Sequence, residues 1–396
     1  MRNCCAWEWS QSGSTKPGGT DMSGATSKSM KVLFRADSSV DLGAGHVMRC
    51  LTLAAALRDK GCAVSFICRD LPGNISANVE AAGYPVFRVP VEVNPAPDTP
   101  FALDVPADVA RTAEILRQEQ GVDWLVIDHY GVDDSWEVPL RPLVGKIMVI
   151  DDVANRRHDC DLLLDQNLYE NMESRYDGLV PENCMKFLGP RYALLRDEFV
   201  QARRSLRERD GSVKRVLITF GGGDASNETA KALEAWRMVG RNDIAVEVVV
   251  GGANPHREQL QQLCAELPNV SFHCNVNNMA QMMSEADLAI GAGGSTTWER
   301  CFLGLPSITL IVADNQAATT KAVGVQGATL NMGWYEDVNA TGLAETIRRV
   351  LSDPKALQEM TVRGFALMGD AASTGAALVA QTLCDTSLKG AGISAK

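Results

Sequence analysis

From residue 31 onward, short apolar runs alternate with longer stretches whose apolar positions recur at helical spacing. The apolar runs at 31–34, 63–68, 85–89, 124–128 and 146–150, with a short one at 160–164, predict strands. Helical stretches are expected between them at 51–60, 74–82 and 107–120. The run 196–209 is strongly charged and is expected to be a solvent-facing helix leading out of the first domain. Asp210-Gly211-Ser212 breaks the pattern, and a second series follows. It has strands at 213–220, 245–250, 270–274, 288–290 and 307–312, and helices at 227–238, 255–266, 279–285 and 295–303. Further helices close the chain, the last an Ala/Leu-rich stretch at 371–386. Strands alternating with helices predict parallel sheets covered on both faces. Two such series predict an α/β protein of two Rossmann-like domains, 30–209 and 210–386, facing each other across a cleft. Residues 1–29 are polar, rich in Gly and Ser and without an apolar core, so they read as disordered or as an extension rather than a secretory signal. The five prolines within 90–106 predict a long loop, and 387–396 a loose tail.

Charge narrows the partners. A formal net charge of -11 over 396 residues makes nucleic acid or an anionic membrane surface an unfavourable main partner. Phosphate groups can still be met locally by backbone N–H groups. The longest apolar runs, such as 305–313, are too short for membrane insertion. The eleven cysteines are scattered, with no C-x-x-C pair, which favours reduced thiols and a cytoplasmic location. The oligomeric state is left open.

The chemistry is densest in residues 35–49, a strand-to-helix turn. Gly43 and Gly45 allow close approach of a ligand, and His46 stands in or near the first helical turn. The positive end of a helix disfavours an imidazolium, so a histidine there is suited to act as a base. Arg49 shares its helix face. In the bland reading this is a tight turn with a surface histidine, but its place at the carboxyl end of the first strand favours a ligand site. In the second series, 291–300 (Gly-Ala-Gly-Gly-Ser-Thr-Thr-Trp-Glu-Arg) follows a strand and opens a helix. Gly293, Gly294, Ser295 and Thr296 suit a diphosphate, and Glu299 suits ribose hydroxyls. The alternative is that Ser295 and Glu299 only serve the helix end. Gly221-Gly222-Gly223-Asp224 is another glycine turn at a strand end but fits neither a P-loop nor a dinucleotide fingerprint, and Asp224 has a capping role as its plain alternative. Asp128-His129-Tyr130 and Asp314-Asn315-Gln316 also stand at strand ends. Asp151-Asp152 has no neighbours at metal-ligand spacing, so no metal and no other cofactor is expected.

These residues resemble a known family. Phe34-Arg35-x-Asp37, Gly43-x-Gly45-His46-x-Met48-Arg49-Cys50, Ile127-Asp128-His129-Tyr130-Gly131, Ile150-Asp151-Asp152, Phe220-Gly221-Gly222, 291–300 and Asp314-Asn315-Gln316 are similar, in order, to the UDP-sugar hydrolases of pseudaminic acid biosynthesis. The resemblance spans about 31–316 and leaves out 1–29. It implies a GT-B-like fold and hydrolysis of UDP-2,4-diacetamido-2,4,6-trideoxy-β-L-altropyranose to the free sugar and UDP. It implies a catalytic histidine, which falls on His46, with Gly45 and Arg49 beside it, and a tyrosine and an asparagine at the sugar, placed at Tyr130 and Asn315. UDP would be held by Gly221, Gly222, Gly293, Gly294, Ser295, Thr296 and Glu299. The expected reaction is an inverting attack at the anomeric carbon by water that His46 deprotonates. The alternatives are a glycosyltransferase using the same donor, and a non-catalytic nucleotide-sugar-binding protein. Against the first, no basic-apolar stretch for a lipid acceptor stands in the first domain.

Overall fold

The computed structural model describes residues 29–91, 101–370 and 375–390. The expectations for residues 1–28, for the middle of the proline-rich loop and for the last six residues lie outside them. The chain divides into two compact units. One holds the residues up to Asp165, Tyr176–Phe187 and those from Val379 onward; the other holds Gln166–Arg175 and Leu188–Leu378.

In the first unit the elements follow in the order β1 (Lys31–Ala36), α1 (Gly45–Asp59), β2 (Ala63–Arg69), α2 (Ser76–Ala81), β3 (Val86–Val89), α3 (Val105–Glu119), β4 (Val122–Asp128), α4 (Asp134–Leu140), β5 (Val144–Ile150), β6 (Leu162–Asp165) and β7 (Met185–Leu188). The strands form one sheet in the order β3-β2-β1-β4-β5-β6-β7. β1 runs parallel to both β2 and β4, with Ala36 opposite Asp128. The chain therefore leaves β1 in one direction and returns on its other side, and the strand order reverses beside β1. That switch point is where open α/β sheets leave a crevice at the carboxyl ends.

The second unit repeats the plan. Its elements are α5 (Asp197–Arg204), β8 (Arg215–Thr219), α6 (Glu228–Val239), β9 (Ala245–Val250), α7 (Arg257–Ala265), β10 (Val270–Cys274), α8 (Met279–Glu285), β11 (Leu288–Ala292), α9 (Thr296–Phe302), β12 (Ser307–Ile311), α10 (Asp314–Val325), β13 (Leu330–Trp334), α11 (Ala340–Leu351) and α12 (Pro354–Met368). The sheet order is β10-β9-β8-β11-β12-β13, so its switch point lies between β8 and β11. Both faces of this sheet are covered. Val216, Ile218, Val246, Val248 and Ile290 pack on one side with Trp236 and Leu260, while Leu217, Val249 and Ala289 pack on the other with Met283 and Trp298. Side chains alternate along a strand, so a strand buried on both sides reads as the unbroken apolar run seen in the sequence.

Several expectations need correction. The run 196–209 faces solvent over most of its length, but only Asp197–Arg204 is helical, Phe199 is fully buried among the second unit's core residues, and the segment belongs to that unit. Arg209 is buried as well, donating to the carbonyls of Met283, Ala286 and Leu303. These contacts draw the segment to the second unit and move the division from 209/210 back to Leu188. The proline-rich loop ends sooner than expected, because Asp104 caps the Ala107 N–H and Pro106 occupies the first turn of α3. The final helix, α13 (Gly375–Gly390), runs past 386, and from Val379 it belongs to the first unit. There Trp124 Nε1 donates to Leu383 O at 3.2 Å. α4, β7 and β13 were not anticipated; their segments are short, and α4 carries an internal proline.

Candidate functional site

At the first switch point, α1 starts at Gly45, and neither a side-chain cap nor an acidic residue occupies its first turn. His46, Arg49 and Cys50 share one helical face and converge on Asp128, the last residue of β4. His46 Nδ1 lies 2.6 Å from Asp128 Oδ1. Arg49 grips the same carboxylate with both arms of its guanidinium, Nε to Oδ2 at 2.6 Å and Nη2 to Oδ1 at 2.7 Å. Burial by itself would raise the Asp128 carboxyl; Arg49 and then His46 outweigh it and hold the group below the usual carboxylate range. An ionised carboxylate only accepts hydrogen bonds, so the proton of a neutral His46 must sit on Nδ1 and leave the Nε2 lone pair free.

Arg49 extends the network to Asp152, with Nη1 3.2 Å from Oδ2, and Tyr130 donates to Asp152 Oδ1 at 2.6 Å. Burial, then Asp152, pushes the Tyr130 phenol up, so it remains a donor. Its ring stands edge-on to His46 at 4.6 Å between centroids, and Phe101 packs against both rings. Gly45 is exposed, and His46 is buried with 8% of its surface accessible. Asp128 and Asp152 complete the site, although neither was singled out as a site residue from sequence. From sequence both stand at strand ends and within the stretches that carry the family resemblance, with no role assigned to either.

Beneath this lies a balanced ionic layer. Asp37 accepts from Arg35 at 2.6 Å and from Arg69 Nε at 2.6 Å, and Asp108 accepts from Arg35 at 2.8 Å and from Trp136 at 2.8 Å. His129 Nδ1 accepts from the Gly131 N–H at 3.0 Å, so its Nε2 carries the proton and faces Asp37 at 3.1 Å. Burial lowers the His129 pKa, with Arg35 and Arg69 acting in the same direction and Asp37 opposing. His129 is thus part of the support, and its neighbours Asp128 and Tyr130 face the site.

At the second switch point, Gly221 (φ +90°) and Gly222 follow β8 and are exposed. Asp224 has the plain role, its oxygens accepting from Glu228 N at 2.9 Å and Thr229 N at 3.0 Å to cap α6. Opposite, Gly291 and Gly293 are places where no side chain fits: a Cβ on Gly291 would lie 2.1 Å from Thr219 O, and one on Gly293 would lie 2.0 Å from Thr320 Oγ1. Gly294 takes φ +101°, a conformation suited to glycine. Ser295 makes no capping bond and is exposed, so the capping alternative does not describe it. Thr296 is half-buried, one helical turn from Arg300. Glu299 accepts from Arg196 at 3.3 Å, and burial raises its carboxyl against the pull of that arginine. Asn315 is exposed in the first turn of α10. The structure therefore gathers Gly45, His46, Arg49 and Tyr130 in the first unit, and Gly221, Gly222, Gly293, Gly294, Ser295, Thr296, Glu299 and Asn315 in the second. Among the described residues no three His, Cys, Asp or Glu side chains are grouped to hold a metal ion, and no helix is long and apolar enough to cross a membrane.

Comparison with known proteins shows the family. The Glycosyltransferase family 28 C-terminal domain matches residues 215–374. The UDP-2,4-diacetamido-2,4,6-trideoxy-β-L-altropyranose hydrolase of Campylobacter jejuni is 30% identical over 75% of this chain and 97% of its own length. The spore coat polysaccharide biosynthesis protein SpsG of Bacillus subtilis is 25% identical over 82% of this chain and 89% of its own. In solved structures, MurG of Acinetobacter baumannii superposes with a TM-score of 0.64 over 91% of this chain and 99% of its own, at 16% identity. Two parallel-sheet units of this order, with that likeness, are the GT-B fold, and the match along nearly the whole length of the Campylobacter protein places the chain in the family of the UDP-2,4-diacetamido-2,4,6-trideoxy-β-L-altropyranose hydrolase.

Proposed function

We propose that this chain is a UDP-sugar hydrolase acting in the cytoplasm, converting UDP-2,4-diacetamido-2,4,6-trideoxy-β-L-altropyranose to the free sugar and UDP in pseudaminic acid biosynthesis. The observation that carries the reading is the 2.6 Å pairing of His46 Nδ1 with a carboxylate kept ionised by Arg49. It leaves Nε2 as the basic atom and steadies the imidazolium that forms when a proton is taken. Water deprotonated by His46 attacks the anomeric carbon on the face opposite UDP. The C–O bond to the diphosphate breaks, its electrons leave with UDP, and the sugar is released with inverted configuration.

UDP is a good leaving group, so the second unit has mainly to bind it. Gly221, Gly222, Gly293 and Gly294 let the backbone approach the diphosphate, Ser295 and Thr296 offer hydroxyls to it, and Glu299 accepts from the ribose. Backbone N–H groups of such a loop act on developing negative charge without reorganising. Tyr130, Gly45, Arg49 and Asn315 orient the sugar. No cofactor takes part. Glycosyl transfer from the same donor is the competing reaction. The test is product analysis on that substrate with and without a carbohydrate acceptor: release of free sugar at the same rate in both supports hydrolysis, and turnover only with acceptor refutes it.

A further inference from the structure

We propose that Arg300 is a fixed positive charge beneath the 291–296 loop, acting through that loop to favour the diphosphate of a bound nucleotide. This rests on the reading of the loop as the UDP site and deepens it. Arg300 is 0% exposed. Side chains on a helix lean toward its N-terminus, and the guanidinium turns back from α9 under the loop. Nη2 donates to Ala292 O at 2.8 Å and Thr297 Oγ1 at 3.1 Å, and Nη1 lies 3.4 Å from Thr296 Oγ1. Nη1 also lies 3.4 Å from where a Cβ on Gly291 would stand. Buried Nε has no acceptor.

Two other buried arginines of the same chain show what is unusual here. Arg35, equally buried, is flanked by Asp37 at 2.6 Å and Asp108 at 2.8 Å. Arg209 lies against carbonyls at the C-terminal ends of α8 and α9, where the helix dipole is negative. Arg300 has no carboxylate within ion-pair distance among the described residues; Glu299 turns to Arg196 instead. The Arg300 backbone lies in the last turn of α9, and the guanidinium reaches back to the hydroxyls of Thr296 and Thr297 at the start of the helix. A buried cation left to neutral acceptors is costly, and an apolar side chain of similar volume would fill the space without that cost. The chemistry that relieves it is an anion held by the loop above.

The test is calorimetric titration of wild type, Arg300→Met and Arg300→Lys with UDP, UMP and uridine at fixed ionic strength. For Arg300→Met the expected result is a loss of UDP affinity of at least about tenfold, a smaller loss for UMP, and unchanged uridine affinity. Arg300→Lys is expected to stay within about threefold of wild type for all three. UDP and uridine weakening together would make Arg300 only a brace of the loop and overturn the proposal, as would unchanged UDP affinity in Arg300→Met. If Arg300→Met does not fold, Arg300→Lys decides by the same ratio: retained preference for UDP over uridine supports the charge, and its loss overturns it. Wild-type protein that binds no UDP would instead defeat the reading of the site itself.

Discussion

At the scale of single residues, the account depends on His46 and the carboxylate behind it. His46→Asn is expected to lower kcat by about 10²–10⁴-fold, the usual contribution of a positioned base, while UDP affinity stays unchanged because the nucleotide is assigned to the other unit. Turnover near the wild-type rate would remove His46 from the role of base. Asp128→Asn is expected to lower kcat in the same range and also to destabilise the protein, because Arg49 loses its fully buried partner; removing one member of such a pair typically costs about 3–5 kcal/mol. Kinetics and a denaturant melt on one preparation check both. Tyr130→Phe keeps the ring against His46 but gives up the bond to Asp152, and kcat/KM is expected to fall about tenfold, about 1.4 kcal/mol. The turn bearing His46 and Arg49 and the strand end bearing Tyr130 were legible in the sequence from glycines and apolar runs, while the sugar role of Tyr130 came from the family resemblance alone. The pairing of Asp128 and Asp152 with Arg49 was not, since the partners lie 79 and 103 residues apart in sequence. Nothing local distinguishes a carboxylate that orients a base from one that ends a strand.

At the scale of elements, both sites follow from the same geometry, a glycine-bearing turn leaving the carboxyl end of a strand at a switch point. The alternation of apolar runs made the strands and most helices readable. Elements that escaped did so because tertiary contacts form them. β7 and β13 are short strands joined at one end of a sheet, and the 196–209 segment is anchored to the second unit by buried Phe199 and Arg209 while its other side chains stay at or near the surface. The nucleotide loop gives a sharp prediction. Gly293→Ala places a Cβ 2.0 Å from Thr320 Oγ1 and must displace the loop or α10. UDP affinity is expected to fall at least about tenfold, with kcat for bound substrate less affected, as titration and initial rates on one variant can show. Thr320→Ala in the same chain removes the obstructing hydroxyl and is expected to restore part of the affinity; no recovery would contradict the steric explanation.

At the scale of the whole molecule, the two series of the sequence correspond to two α/β units, but the C-terminal helix returns to the first. Its Val379, Ala380 and Leu383 are fully buried there, and Lys146 Nζ donates to Thr386 O at 3.1 Å. No run of apolar residues announces which unit a terminal helix covers, so this was not legible. Acid is expected to act on the first unit in two stages. His129, with its pKa lowered by burial, binds a proton more readily when unfolded, so stability falls as pH drops below about 6.5. Asp37, Asp108 and Asp128 are each held low by arginines despite burial, and their contribution, complete above about pH 4, is lost as pH falls further through their folded values. Thermal melts from pH 7.5 to 3 should show both stages, with His129→Gln abolishing the first. A flat profile down to pH 4 would contradict the assignment of His129.

The central claim is that water, activated in the first unit, attacks the anomeric carbon and not phosphorus. The most direct measurement is to run the reaction on UDP-2,4-diacetamido-2,4,6-trideoxy-β-L-altropyranose in ¹⁸O-labelled water without acceptor, reading the first-formed anomer by NMR and the mass of the released UDP. The account predicts the inverted anomer and UDP free of label. Label in UDP would place the attack at phosphorus, and UDP that stays attached until an acceptor is supplied would make the chain a transferase.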